Sequence, residues 1–84
     1  LTNFAIDNTI TVYPNPTNAL VTIESSAAIK QVDVQDALGR TIETHVTGNV
    51  LTLQLPLAHF AQGAYVLSIE TQNGLVKKQI AIVR

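Results

Sequence analysis

Short runs in which apolar and polar residues alternate occupy most of the chain, and they restrict its fold more than any other feature. Successive side chains of a β-strand point to opposite faces, so this alternation predicts half-buried strands. Many of the apolar residues are β-branched, which also favours strands. The predicted strands are residues 9–13, 20–25, 29–36, 40–46, 50–56, 64–71 and 75–84. Their number and spacing predict an all-β fold, an antiparallel β-sandwich of about seven strands.

Turn residues separate these runs. Gly39 can adopt a positive φ in the turn after residue 36, and the Asp36 side chain can bond the backbone of that turn. The sequence "TGN" at 47–49 predicts a second turn, and Asn73-Gly74 is the strongest hairpin signal in the chain. Residues 57–63, "LAHFAQG", do not alternate and suit one helical turn closed by Gly63.

Two prolines, Pro14 and Pro16, lie on either side of Asn15 between the first two predicted strands. Proline cannot donate to a β-ladder, so Pro14 is expected to end the first strand. Pro16 stiffens the crossing to the second strand, which begins at Leu20. Because their backbone angles are preset, these prolines lower the entropy lost on folding.

The composition excludes several classes of protein. Charged residues make up 13% of the chain and the net charge is −1, so a nucleic-acid-binding face is not expected. There are no cysteines, which excludes disulfides and thiolate metal sites. No run approaches the roughly 20 apolar residues that a membrane helix needs.

The chain also has no methionine, and we interpret it as part of a longer protein. Residues 1–8 are predicted to be the end of a linker, and residues 9–84 to be the folded domain. Any export signal is expected further upstream.

Catalytic and metal-binding patterns are weak. His45 and His59 lie in no metal-binding motif; they are either two surface histidines, the favoured interpretation, or half of a metal site. The six acidic residues fall mostly on predicted solvent faces or turns, and no serine or glycine motif of an enzyme is present. We therefore expect no catalytic residues, no metal and no cofactor.

The last predicted strand combines Lys77 and Lys78 with an apolar run. The simpler interpretation is an edge strand whose lysines protect it from aggregation, and the residues alone favour it. The other is an exposed strand that a second protein recognises by strand addition.

Several stretches occur together in the order and spacing of a known family: "VYPNP" (12–16), "VTIE" (21–24), "VDVQDALGR" (32–40), "LAHFAQGAYVLSI" (57–69) and "KKQIAIV" (77–83). From about Thr11 to Arg84 the sequence resembles the type A C-terminal sorting domain of the type IX (Por) secretion system of Bacteroidetes. Two departures are the bulkier "LPLAHFAQ" and the apolar Leu38 at a turn position where polar residues are common.

The resemblance carries over to individual positions. It implies a structural motif made of Pro14, Asn15, Pro16, Asp36, Gly39, Arg40, Gly63 and Tyr65. It also implies a terminal sorting segment made of Lys77, Lys78, Gln79, Ile80, Ala81, Ile82 and Val83. The fold that it implies is a seven-stranded immunoglobulin-like sandwich.

The role that the resemblance implies is targeting. Such a domain ends a larger cargo, which crosses the inner membrane, folds in the periplasm and passes the outer membrane through the type IX translocon. A shuttle β-barrel then receives it, and a surface sortase usually removes the domain, so the cargo reaches the cell surface or is released. Cleavage is expected near or upstream of residues 1–7.

Two other classes of function stay open at this point. One is an immunoglobulin-like carbohydrate-binding or adhesive module of a surface protein, although such modules usually show an aromatic platform. The other is a structural spacer that self-associates through an edge strand, for which the final strand is the expected route.

Overall fold

The computed structural model describes residues 10–83. These residues form five strands: β1 (Ile10–Tyr13), β2 (Leu20–Gln35), β3 (Thr41–Pro56), β4 (Gly63–Thr71) and β5 (Gly74–Ile82). All strand pairs are antiparallel, as predicted. The predicted linker end at residues 1–8 and the last residue, Arg84, lie outside the described residues.

Strand β2 is the centre of the sheet. β3 pairs with one edge of β2 along nearly its whole length. The other edge of β2 is shared, because β1 pairs with its first half and β4 with its second half. β5 then pairs with β4, so the order is β1-β2-β4-β5, with β3 on the opposite side of β2.

The prediction of about seven strands is wrong, because two pairs of predicted strands are continuous. Residues 20–25 and 29–36 merge into β2, and residues 40–46 and 50–56 merge into β3. The turn predicted at 47–49 is therefore absent. Gly48 and Asn49 do adopt positive φ angles of 73° and 66°, but they make an irregularity inside β3 and not a reversal of the chain.

A bulge in β2 keeps both of its halves facing the core. Ile29 and Gln31 lie opposite the adjacent residues Thr71 and Glu70 of β4, so Lys30 is an extra residue on β2. One extra residue reverses which face the following side chains occupy. As a result the buried positions change from odd-numbered Ile29 to even-numbered Val32.

A single hydrophobic core joins both halves of β2. Val21 and Ile23 from the first half and Val32 and Val34 from the second are all fully buried in one cluster with residues of β4 and β5. A flat sheet with no helix could not bury one face, so the sheet must fold over on itself, as a sandwich does. The all-β class is confirmed, whereas an immunoglobulin-like topology stays an expectation.

Strand faces agree with the predicted alternation except in β3. Leu53 and Leu55 turn inward, but Leu51, which strict alternation along residues 50–56 would place on the same face, is 56% exposed. The irregularity at Gly48 and Asn49 lies just before it and disturbs the alternation.

The connecting turns were predicted with partial success. The β2–β3 turn has Gly39 at a φ of 85°, as predicted. The β4–β5 hairpin is also present, but its two loop residues are Gln72 and Asn73, and Gly74 already belongs to β5. Residues 57–60 form a turn closed by a hydrogen bond from the Phe60 N–H to the Leu57 carbonyl, without becoming a helix. In residues 10–83 no helix has the length and apolar character to cross a membrane.

Candidate functional site

The terminal segment, residues 77–83, lies in and just beyond β5 at the edge of the sheet. Ile80 and Ile82 point into the core and are almost completely buried, while Lys77, Gln79 and Ala81 face solvent. Lys78 lies on the core side, half-buried, and its backbone is opposite Leu67 of β4. The segment is therefore both part of the core and part of the surface.

The side chain of Asn15 binds the outer edge of this segment. Its Nδ2 donates to the carbonyl of Gln79 at 3.1 Å, and its Oδ1 accepts the N–H of Ala81 at 3.1 Å. A carboxamide carries a carbonyl acceptor and an NH2 donor group side by side, so it can bond a strand edge as the C=O and N–H of a peptide backbone do. Asn15 therefore occupies the place that a neighbouring strand would take.

Thr17 continues the same pairing through its backbone. Its N–H donates to the carbonyl of Ala81 at 2.9 Å, and its carbonyl accepts the N–H of Val83 at 2.8 Å, which makes a short parallel bridge to Ile82. Thr17 itself is buried, and its hydroxyl donates to the carbonyl of Leu20 at 2.8 Å. We call Asn15 and Thr17 together the edge clamp.

The prolines explain why the edge clamp has a defined position. Pro14 ends β1, as predicted, and Pro16 separates the two clamp residues. Each proline restricts its own φ to about −65°, so the backbone on both sides of Asn15 has little freedom. The Tyr13–Pro14 and Asn15–Pro16 peptide bonds are both cis.

The edge clamp covers only part of β5. The carbonyl of Gln79, both backbone groups of Ala81 and the N–H of Val83 point outward to the clamp. Backbone groups of a strand alternate in direction, so those of Leu75 and Lys77 also point outward. Within residues 10–83 these have no described partner on that side, and neither Lys77 nor Lys78 forms an ion pair.

A shallow groove of about 290 Å³ lies beside the edge clamp, lined by Asn15, Ala64, Gln79, Ile80 and Ala81. It gives access to the terminal segment at the point where the clamp meets it. Exposed backbone and side-chain groups of the segment are thus presented together on one surface.

The motif of Gly63 and Tyr65, implied by the family resemblance, lies on β4 directly opposite the terminal segment. Gly63 pairs with Ile82, and Tyr65 pairs with Ile80. The Tyr65 ring packs against the core and lies 5.5 Å from the Phe60 ring, and its hydroxyl donates to the carbonyl of Ala61 at 2.6 Å. The structure therefore brings the Pro14–Pro16 motif, the Gly63 and Tyr65 motif and the terminal segment together around β5.

The motif of Asp36, Gly39 and Arg40 forms the β2–β3 turn, and the Asp36 side chain makes its contacts within that turn. Asp36 Oδ1 accepts the N–H groups of Leu38 and Arg40, at 2.9 and 3.0 Å, and Oδ2 accepts from the Arg40 guanidinium at 2.9 Å. The backbone N–H of Arg40, and secondarily its side chain and the Leu38 N–H, hold the pKa of Asp36 below its usual value. Asp36 is thus a turn former, as predicted.

Sequence reasoning missed a cluster made of Glu43, His45 and His59. The two carboxylate oxygens of Glu43 each pair with one histidine Nε2, at 2.7 Å for His45 and 2.8 Å for His59. The hydrogen bond from His59, followed by that from His45, lowers the pKa of Glu43. The i, i+2 spacing of Glu43 and His45 placed them on one strand face, but only the fold brings the 57–60 turn to them.

The arrangement of these groups does not match a metal centre. Both histidines direct Nε2 at a carboxylate oxygen, and the described residues contain no cluster of three His, Cys, Asp or Glu suited to a metal ion. The His59 ring lies 4.3 Å from the Phe60 ring. The cluster therefore links the 57–60 turn to β3.

Comparison with known proteins identifies the family. The model of the secretion system C-terminal sorting domain matches residues 11–83, which include the edge clamp, the Asp36 turn and the terminal segment. A search of curated proteins finds no match. Because the match extends over most of the chain, this protein belongs to the family of type IX secretion system C-terminal sorting domains.

Proposed function

We propose that this domain ends a larger cargo protein and that the type IX secretion machinery recognises its terminal segment. Membership of the family makes it a sorting signal. The further proposal concerns which surface carries the signal: the solvent-facing residues Lys77, Gln79 and Ala81, together with the uncovered backbone edge at Leu75 and Lys77.

The observation that carries this proposal is the way in which the terminal segment is held. Ile80 and Ile82 attach it to the core from one side, and the edge clamp binds its backbone from another. A receptor loses less affinity when the surface that it binds is already ordered. The segment is therefore suited to recognition as part of a folded domain.

The proposed route follows the sorting role. The cargo crosses the inner membrane, folds in the periplasm and passes the outer membrane through the translocon. A shuttle β-barrel then receives the domain, and a sortase cuts the chain near or upstream of residues 1–7. In this scheme the domain is a substrate of the machinery and not an enzyme.

A fusion experiment tests the targeting role. Residues 1–84 are fused to the C-terminus of a periplasmic fluorescent protein in a bacterium that has a type IX system. We expect the fluorescence at the cell surface or in the medium, and in the periplasm of a strain that lacks the translocon. Periplasmic retention of an intact, folded fusion in the competent strain would refute the proposal.

A second experiment separates recognition from folding. Deletion of the terminal segment is unsuitable, because it removes Ile80 and Ile82 from the core. The double substitution Lys77→Ala and Gln79→Ala changes only exposed side chains. We expect it to reduce export while the thermal unfolding midpoint stays close to that of the parent.

A matched control uses exposed residues of another strand, Thr52→Ala with Gln54→Ala in β3. This control should be exported normally. If the control and the β5 variant are exported equally well, the signal does not lie on the exposed face of β5.

The carbohydrate-binding alternative has little support among the described aromatic side chains. Tyr13, on β1, donates its hydroxyl hydrogen to the Glu24 carboxylate of β2 at 2.6 Å. Phe60 and Tyr65 are partly buried against the core. Phe4 lies outside the described residues, and the other three do not form an exposed platform together.

A further inference from the structure

The three strands at the edges of the sheet are protected from pairing with another chain in different ways. β1 has four residues and is followed by Pro14. β3 is interrupted by the positive-φ pair Gly48 and Asn49, and by a register shift opposite Val34 and Gln35 of β2. Short strands, prolines and bulges are usual means of preventing edge-to-edge association. β5 uses two other means, which divide the strand between them.

The two halves of β5 differ in charge and in coverage. The first half carries Lys77 and Lys78, and its outward backbone groups have no described partner within residues 10–83. Lysine is a common protective residue at an open edge. Residues 79–83, "QIAIV", contain no charged residue, no proline and no glycine, and this is the part that the edge clamp covers. The clamp therefore begins where protection by lysine ends.

The composition of residues 79–83 explains why they need a cover. Windows of about five to seven apolar, strand-favouring residues with low charge and no proline are prone to stack with copies of themselves. Ile80 and Ile82 are each only 2% exposed, so the core depends on them and polar residues could not replace them. A cover over the backbone edge protects the segment without any change in these side chains.

The edge clamp occupies four outward-facing backbone groups of this segment. The carbonyl of Gln79 and the N–H of Ala81 bond to the side chain of Asn15, and the carbonyl of Ala81 and the N–H of Val83 bond to the backbone of Thr17. A strand that paired with residues 79–83 from this side would need the same groups. Such a strand can therefore add only after the clamp has left.

The edge clamp and its prolines also offer little to a further strand. Pro14 and Pro16 have no backbone N–H, and Thr17 directs both its N–H and its carbonyl at β5. Among residues 14–17 only Asn15 has a backbone N–H that is not used in this way. An ordinary strand in this place would cover β5 and present a new edge, whereas the clamp covers β5 and ends the sheet.

We propose that the edge clamp is an inhibitory cover, which keeps residues 79–83 from pairing with the same segment of a second copy of the chain. Opening of the clamp leaves four unpaired backbone groups beside an uncharged segment. Identical segments of this kind stack on one another, so the partner of an open edge is another copy. The inference rests on the contacts of the clamp and is independent of the sorting role.

The assembly kinetics of Asn15→Ala test the cover in the 84-residue chain. The substitution removes the bonds to Gln79 and Ala81, and the loss of exposed hydrogen bonds should raise the open fraction about fivefold. Circular dichroism shows that variant and parent are both folded. At equal concentration we expect Asn15→Ala to form oligomers or fibrils faster than the parent by a similar factor or more, as measured by light scattering and thioflavin T fluorescence.

A control of matched stability separates opening of the clamp from unfolding of the whole domain. Ile23 is fully buried in the central strand β2, so Ile23→Val lowers stability by a comparable amount without uncovering an edge. Urea denaturation measures the stability of both variants. We expect Ile23→Val to assemble at close to the rate of the parent. Equal acceleration by the two substitutions would mean that assembly follows global unfolding, and would overturn the proposal.

A second substitution tests which segment assembles. Ala81→Lys adds an exposed lysine to the uncovered stretch, so Asn15→Ala combined with Ala81→Lys should return to the assembly rate of the parent. Thr52→Lys, on the exposed face of β3, makes the same change in charge and should not slow Asn15→Ala. The proposal is wrong if Asn15→Ala does not accelerate assembly, or if Thr52→Lys slows it as much as Ala81→Lys does.

Discussion

Ala81 donates its backbone N–H to the side-chain oxygen of Asn15 at 3.1 Å, across 66 positions of sequence. This contact links the proline-bounded motif near the start of the chain to the strand near its end. The motif therefore has a role beyond ending β1, because it covers part of the backbone edge of the terminal segment.

The first prediction concerns this contact. Asn15→Ala removes the bonds to Gln79 and Ala81 and leaves both backbone groups to water. Since Asn15 is exposed, we expect a loss of about 1 kcal/mol in the free energy of unfolding, measured by urea denaturation. Gln72→Ala, exposed in the β4–β5 turn, is the control and should have almost no effect. Equal stability of Asn15→Ala and the parent would show that the clamp side chain does not stabilise the strand.

The second prediction concerns acid and the Asp36 turn. The pKa of Asp36 is lowered in the folded state, chiefly by the backbone N–H of Arg40. The ionised carboxylate therefore stabilises the fold above its ordinary pKa of 3.8, and this stabilisation is lost as the pH falls through the lower folded value. Asp36→Asn should be less stable than the parent at neutral pH, and the difference should shrink in acid. A difference that is constant with pH would contradict this assignment.

The third prediction distinguishes the contribution of Glu43 to the acid sensitivity of the fold from that of Asp36. The pKa of Glu43 is also lowered, first by the hydrogen bond from His59, so its contribution has the same sign and is lost in acid. Glu43→Gln should reduce the acid sensitivity of the urea midpoint. His59→Ala removes the first cause of the shift and should raise the pKa of Glu43, as followed by NMR titration of its side-chain carboxyl carbon. An unchanged Glu43 titration in His59→Ala would mean that the 57–60 turn does not stay on β3 in solution.

The fourth prediction concerns the irregularity inside β3. A Cβ added at Gly48 would meet nothing within 4 Å, so substitution there tests only the backbone conformation. Because φ is 73°, Gly48→Val should destabilise the domain by roughly 1–2 kcal/mol. Gly48→Asn should cost less, since asparagine tolerates positive φ. Similar costs for the two variants would argue that the strand straightens when Gly48 is replaced.

The fifth prediction concerns the core. Leu67 is fully buried in β4, and Leu67→Ala should cost about 2–5 kcal/mol in the free energy of unfolding. Leu38→Ala, in the β2–β3 turn at 78% exposure, should change it by about 0.5 kcal/mol or less. Comparable losses at the two positions would mean that Leu38 is covered in solution.

Local patterns predicted those features that depend on neighbouring residues. The faces of β5, with Val76, Ile80 and Ile82 inward and Lys78 in the same register, followed from alternation. The Asp36 turn followed from a carboxylate placed to accept the N–H groups of the residues just after it. The count of strands failed in β3 because a bulge and a turn have similar sequence signals, as glycine and asparagine serve both.

The sequence by itself determined the all-β class, most strand faces and the hairpins, because alternation and turn chemistry act between residues that are close along the chain. Only the tertiary structure decided that Asn15 pairs with Gln79 and Ala81, and that Glu43 joins His45 to His59. It also decided which edges of the sheet are covered. These relationships depend on how the strands are ordered and how the sheet folds over itself, and the order of strands is set by the burial of the whole core and not by any local run of residues.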